Sequence, residues 1–149
     1  RSLHNVGSVF RTSDAFRINE IYLCGITATP DNSLTEIHKT ALGAEDSVKW
    51  EYYSNTIDVV EKLKMEGYTI VSVEQVEQSI KLDEFKADSS KHYALILGNE
   101  VKGVQQEVVD ISDISLVIPQ YGTKHSLNVS VSAGIVLWEF AKQLKNILD

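Results

Sequence analysis

YGTKHSLNVSVSAG, residues 121–134, connects an apolar run that ends at Ile118-Pro119 to a helix-like run that begins near Val131. Connections between strands and helices in α/β units usually take about 2–6 residues. This junction is longer and rich in polar side chains. Asn128 or Ser130 could serve simply as a helix cap, but the length of the junction predicts a functional loop.

Short apolar runs alternate with helical patterns along the rest of the chain. Helical spacing begins at Ile57 and reaches its stop signal at Gly67, and a second, short helix is predicted over Val104–Val109. Four bounded runs rich in Ile, Leu and Val predict buried strands: Ile21–Cys24, Val71–Val73, Ala94–Leu97 and Ile114–Ile118. This alternation predicts a single α/β domain over residues 1–149, with a mainly parallel sheet and helices on both faces.

Composition narrows the functional class. Hydrophobic residues make up 43% of the chain and charged residues 23%, as in soluble globular proteins. No apolar run approaches the roughly 20 residues that cross a bilayer, so we expect a cytoplasmic protein with no membrane contact. The net charge of −7 confines any RNA contact to one local basic face. The single cysteine, Cys24, lies in an apolar run and is expected to be a buried, reduced thiol.

The last helix is unusually apolar. It is predicted from Val131, and up to Ala141 it is apolar except at Ser132, Gly134 and Glu139. Polar residues return from Lys142 and leave one apolar stripe: Leu137, Phe140, Ala141, Leu144, Ile147 and Leu148. A helix that is apolar nearly all round needs cover on two sides. We therefore expect the sheet on one side and a second subunit on the other, which makes the chain a homodimer through this helix.

Two further blocks contain candidate site residues. In NVGSVFRTSDAF, Asn5 and Arg11 lie six residues apart on a predicted helix, where Asn5 could be a cap and Arg11 a plain surface residue. In LILGNEVKGV, a predicted strand runs into Gly98-Asn99-Glu100. Glycine after a buried strand lets a ligand approach the backbone at the carboxyl edge of the sheet, although tight turns use the same residues. The sequence has no GxGxxG fingerprint, which disfavours a nicotinamide dehydrogenase.

In this order and spacing, the three blocks resemble the SpoU or TrmH family of RNA ribose methyltransferases within the SPOUT class. The resemblance runs from Arg1 to the terminal helix, and SLNVSVSAG after IPQYG is its most specific part. Gln120 stands where methionine is more usual, and the customary opening strand is missing before Arg1. The resemblance implies a C-terminal trefoil knot whose loops hold the cofactor, with residues 121–134 forming part of it.

The resemblance also implies a reaction: transfer of a methyl group from S-adenosylmethionine to a ribose 2′-hydroxyl of tRNA or rRNA, without a metal. We expect tRNA rather than rRNA, because these residues contain no appended RNA-binding domain. The family's catalytic and RNA-contacting positions are matched by Asn5, Arg11, Glu100, Ser126 and Asn128. The implied cofactor-binding positions are Leu97, Gly98, Asn99, Ile118, Gln120 and Leu127.

Basic residues near the predicted loops would form the RNA face, although any one of them could be merely solvated: Arg17, Lys39, Lys102 and Lys124. Arg11 is a poor proton acceptor, because a guanidinium has a pKa above about 12, and we expect it to stabilise the developing alkoxide and grip a phosphate. His38 and His125 are alternative bases. Two other functions stay open: a non-catalytic knotted RNA-binding module, and a Rossmann-type nucleotide-binding domain that acts on a small metabolite.

Overall fold

The computed structural model describes residues 2–25, 37–99, 102–123 and 127–144, with side chains from residue 5 onward. A 3-10 turn spans Leu82–Glu84, and residues 37–41 are helical. The other elements, in chain order, are α1 (Ser2–Ala15), β1 (Ile21–Cys24), α2 (Ala44–Ser47), β2 (Trp50–Tyr53), α3 (Thr56–Met65), β3 (Thr69–Val73), β4 (Ile80–Lys81), β5 (Tyr93–Leu97), α4 (Gln106–Ile111), β6 (Ile114–Val117) and α5 (Val129–Gln143).

Every pairing between these strands is parallel. β1 pairs with β2, and the other four strands follow the order β4-β6-β3-β5. β3 is central, since Val71 lies opposite Leu95 on one side and Ile114 on the other. The prediction of an α/β fold with a mainly parallel sheet is confirmed, and each of the four predicted strands is found within two residues of its predicted ends.

Alternate residues of β3 and β5 face opposite layers of helices. Ile70 of β3 lies in one core cluster with Val60 of α3 and Val108 of α4. Val71, the next residue, lies in another cluster with Val136 and Phe140 of α5. Because successive side chains of a strand point to opposite faces, this alternation places helices on both faces of the sheet, as predicted.

A third core cluster joins α1 to β1 through Phe10, Leu23 and Ile37. Gly7 lets the helical residues 37–41 approach α1 closely, since a Cβ at this position would overlap the Thr40 side chain and the Ile37 carbonyl oxygen. Cys24 is half-buried rather than fully buried, and this burial raises the pKa of its thiol. The sequence predicted a buried thiol, and the structure buries it only in part.

α5 begins at Val129, two residues before the predicted start, because Asn128 caps it. The Gln143 side chain joins the other end of the helix to the segment after the 3-10 turn: its Nε2 donates to the Phe85 carbonyl oxygen at 2.9 Å and its Oε1 accepts from the Ala87 N–H at 2.6 Å.

Two residues of the predicted apolar stripe, Ile147 and Leu148, lie outside the described residues. The knot depends in part on segments outside them too, and stays a prediction. No helix in the described part of the chain has the length and apolarity to span a bilayer.

Candidate functional site

A cavity of about 280 Å³ opens where β3 and β5 end. Its walls come from the end of β3, the loop after β5 and the start of α5. The lining residues are Val73, Glu74, Leu97, Gly98, Asn99, Lys102, Gly103, Leu127, Val129 and Ser132. Open α/β sheets bind ligands at this carboxyl edge, so the cavity is the candidate binding site.

The loop after β5 folds back on itself beside the cavity. Two hydrogen bonds to Asn99 stabilise this turn: its carbonyl oxygen accepts from the Gly103 N–H at 2.9 Å, and its Oδ1 accepts from the Lys102 N–H at 2.6 Å. A Cβ at Gly98 would overlap the carbonyl group of Gly103 and the nitrogen of Val104. Gly98 is therefore required by a close approach between two backbone segments.

The start of α5 forms another wall of the cavity. Asn128 is the N-cap, and its Oδ1 accepts from the Ser130 N–H at 2.8 Å and from the Ser130 hydroxyl at 2.6 Å. The capping role considered from the sequence is thus real. It leaves the Nδ2 group of Asn128, a donor, for any substrate contact, so this exposed side chain suits stabilising an oxygen rather than accepting a proton.

The structure brings four of the predicted cofactor residues to one cavity: Leu97, Gly98, Asn99 and Leu127. The other two, Ile118 and Gln120, follow β6 and are not among the described lining residues; Ile118 packs against the core beneath α5, and Gln120 is exposed. The predicted roles of all six stay predictions. Glu100, Ser126, Lys124 and His125 lie outside the described residues.

The two predicted site residues of α1 stand apart from each other. Asn5 is half-buried and Arg11 is exposed, and a separation of six residues puts them on different sides of a helix with 3.6 residues per turn. α1 packs against α5, and directly after α1 the ring of Phe16 lies 5.7 Å from that of Trp138, between centroids. Through this contact α1 is fixed to the helix whose first turn lines the cavity.

The predicted basic face is only partly assembled at the cavity. Lys102 lines it, whereas Arg17 and Lys39 are exposed on other elements and do not line it. His38, the alternative base, is held by a buried carboxylate, with its Nδ1 2.8 Å from Glu45 Oε2. Burial raises the pKa of Glu45, but hydrogen bonds from His38 and from the backbone outweigh burial and lower this pKa overall.

Sequence reasoning missed Glu74, which lines the cavity at the end of β3. The available signal was a carboxylate directly after a buried strand, in VSVEQ, at the edge where ligands bind. Among the described residues, no group of three or more His, Cys, Asp and Glu side chains is placed to hold a metal ion.

Known proteins match this chain along most of its length. A model of the SpoU rRNA Methylase family matches residues 1–138. The tRNA (guanosine(18)-2'-O)-methyltransferase of Aquifex aeolicus (strain VF5) is 34% identical, over 94% of this chain and 64% of that protein. The 23S rRNA (guanosine-2'-O-)-methyltransferase RlmB of Neisseria meningitidis serogroup B is 31% identical, over 96% and 56%. This chain therefore spans about three fifths of the length of the curated relatives it matches.

Solved structures share the fold. The A. aeolicus TrmH/SpoU tRNA modifying enzyme superposes with a TM-score of 0.83 and 32% identity, covering 97% of this chain and 71% of that one. The AdoMet-bound rRNA methyltransferase from Sinorhizobium meliloti superposes with a TM-score of 0.85 and 29% identity, covering 95% and 52%.

Proposed function

This chain belongs to the SpoU rRNA Methylase family, and on that premise we propose that it binds S-adenosylmethionine and transfers the methyl group to a ribose 2′-hydroxyl of RNA. The single observation that carries the proposal is the cavity at the ends of β3 and β5, which gathers Leu97, Gly98, Asn99 and Leu127. A Rossmann-type domain acting on a small metabolite finds no support in the family match. A non-catalytic RNA-binding module is favoured by no feature of the cavity.

The cavity fits the cofactor in size and chemistry. Its volume, about 280 Å³, lies just below the roughly 300–1,000 Å³ of small-molecule sites. Leu97 and Leu127 supply apolar surface for a flat heterocycle, while Gly98 exposes backbone for hydrogen bonds. The S. meliloti methyltransferase that shares this fold was solved with AdoMet bound.

When bound, S-adenosylmethionine supplies a methyl group on a sulfonium, which is already an activated leaving group. The chain must then align the ribose hydroxyl and stabilise the oxygen as it loses its proton. Ser130 already donates to Oδ1 of Asn128, so Asn128 would meet the substrate oxygen with its donor group, Nδ2. Arg11 is exposed on α1, and its guanidinium would stabilise the alkoxide and grip an adjacent phosphate. Asn5, Glu100 and Ser126 are proposed as further catalytic residues on the family resemblance.

The proposed substrate is tRNA. Five of the matched relatives carry the name tRNA (guanosine(18)-2'-O)-methyltransferase, and Lys102 places a cation at the cavity. Arg17, Lys39 and Lys124 are proposed to contact the RNA backbone. We propose that the protein acts on this substrate in the cytoplasm.

We propose a homodimer formed through α5. Val131, Ile135 and Trp138 are 49%, 38% and 53% exposed, and their spacing of four and three residues puts them on one face of the helix. The opposite face holds the buried Val136 and Phe140. A second copy of the chain would cover the exposed face, as the apolar pattern of this helix predicts.

Two measurements test the proposal. Calorimetry with S-adenosylmethionine and with NAD should show binding of the first alone. Incubation with methyl-labelled cofactor should then label a tRNA pool more than rRNA, and nuclease digestion should place the label on a ribose 2′-oxygen. Binding of NAD without S-adenosylmethionine, or label on a base, would contradict the proposed reaction.

A further inference from the structure

Glu74 joins three parts of the site. It follows directly after β3, its N–H donates to the Leu116 carbonyl oxygen of β6 at 2.9 Å, and its side chain reaches the loop after β5. Its Oε2 accepts from the Val104 N–H at 2.9 Å, and its Oε1 accepts from the Gln75 N–H at 3.1 Å. Both carboxylate oxygens are therefore held by backbone donors.

The Glu74 carboxylate also lies in close contact with the loop to which it is hydrogen-bonded. A Cβ at Gly103, whose φ is +68°, would overlap Glu74 Oε2. A Cβ at Gly98 would overlap the Gly103 carbonyl group and the Val104 nitrogen. The peptide unit between Gly103 and Val104 therefore lies close to Gly98 and is hydrogen-bonded by the carboxylate of Glu74.

We propose that Glu74 is a positioning residue, which fixes the loop after β5 in the conformation that binds the cofactor. The inference rests on the proposed function, because it assumes that Gly98 and Asn99 meet S-adenosylmethionine. Val104 is only 8% exposed, so removing the carboxylate leaves a buried N–H without its acceptor and releases the peptide that supports Gly98. The loop then spends less time in the binding conformation, which lowers apparent affinity in proportion.

The test compares Glu74→Ala and Glu74→Gln with Glu77→Gln. Glu77 is exposed and does not line the cavity among the described residues, so its variant removes the same charge three positions along the chain. We expect Glu74→Ala to raise the Kd and the KM for S-adenosylmethionine by roughly tenfold or more, since hydrogen bonds to charged groups are worth about 1.5–3 kcal/mol. The value of kcat at saturating cofactor should stay within about twofold of the parent.

Glutamine is the conservative variant that distinguishes positioning from charge. Its side-chain oxygen can still accept from Val104, while its amide nitrogen cannot accept from Gln75. Affinity should therefore fall in the order parent, Glu74→Gln, Glu74→Ala, with Glu77→Gln equal to the parent. Faster hydrogen exchange at the Val104 amide should follow the same order.

Each outcome has one meaning. If the parent binds S-adenosylmethionine and Glu74→Ala binds it within twofold of the parent, this inference is wrong while the proposed function stands. Equal losses in the two Glu74 variants would assign the effect to charge and also overturn it. A fall in kcat with an unchanged KM would make Glu74 part of the chemistry rather than a support for the loop. Absence of binding by the parent itself would instead refute the proposed function.

Discussion

Replacing Gly98 with alanine should weaken cofactor binding more than it weakens the fold. The added methyl group would overlap the carbonyl group of Gly103 and the nitrogen of Val104, which are backbone atoms and cannot rotate away. Overpacking of this kind costs about 1–3 kcal/mol. The strain is relieved if the loop after β5 moves away from β5, which is the conformation that cannot form the cavity.

If this 1–3 kcal/mol destabilises only the conformation that binds the cofactor, the affinity for S-adenosylmethionine drops by roughly 5- to 150-fold. Calorimetry measures this drop, and circular dichroism with thermal unfolding reports whether the variant is folded. Gly67→Ala is the control, because Gly67 does not line the cavity and a Cβ there meets no atom within 4 Å, although its φ of +90° strains the fold. Its cofactor affinity should equal that of the parent. A folded Gly98→Ala variant that binds within threefold of the parent would refute the close-approach argument.

Arg11→Ala should lower the single-turnover methylation rate by about 10²–10³-fold, as loss of an oxyanion donor does, and change stability by less than about 0.5 kcal/mol because Arg11 is exposed. Trp138→Asp should reduce the mass found by light scattering from that of a dimer to the 16.6 kDa of one chain. Gln143→Ala should lower the free energy of unfolding by about 2–3 kcal/mol in urea titrations, because two backbone groups lose their partner. In the folded protein the pKa of Glu45 is lowered below its ordinary 4.5. Its contribution to the free energy of unfolding is therefore fully present above pH 4.5 and is lost as the pH falls through the pKa of the folded state. Because His38 helps to lower this pKa, His38→Ala should reduce the fall of the melting temperature in acid.

Prediction from the sequence worked best where apolar periodicity was strong. β1 and β3 carry short runs of Ile, Leu and Val, and their buried residues include Leu23, Ile70 and Val71. β2 was missed because WEYY contains no Ile, Leu or Val and two of its four residues are exposed. β4 was missed because it has only two residues, both exposed. Strands of this kind are defined by pairing with a neighbour, which no local pattern records.

For the site, the glycine after β5 and the asparagine before α5 could be singled out by type and position. Their residue classes point to turns and caps as readily as to ligand contacts, and both Gly98 and Asn128 do serve such structural roles. Glu74 could not be ranked above other carboxylates, because its importance comes from Val104, which lies thirty positions away. The spacing of residues along the chain does not predict hydrogen bonds between distant segments.

The sequence alone determined the α/β class, the parallel sheet and the long polar junction at residues 121–134, since these follow from local periodicity and residue type. Tertiary structure alone decided which loops meet. It brought the ends of β3 and β5 together with the first turn of α5, and it left Val131, Ile135 and Trp138 partly exposed on one face of that helix. The physical reason is that burial and close approach depend on the packing of segments far apart in the chain, whereas propensity depends on neighbours along it.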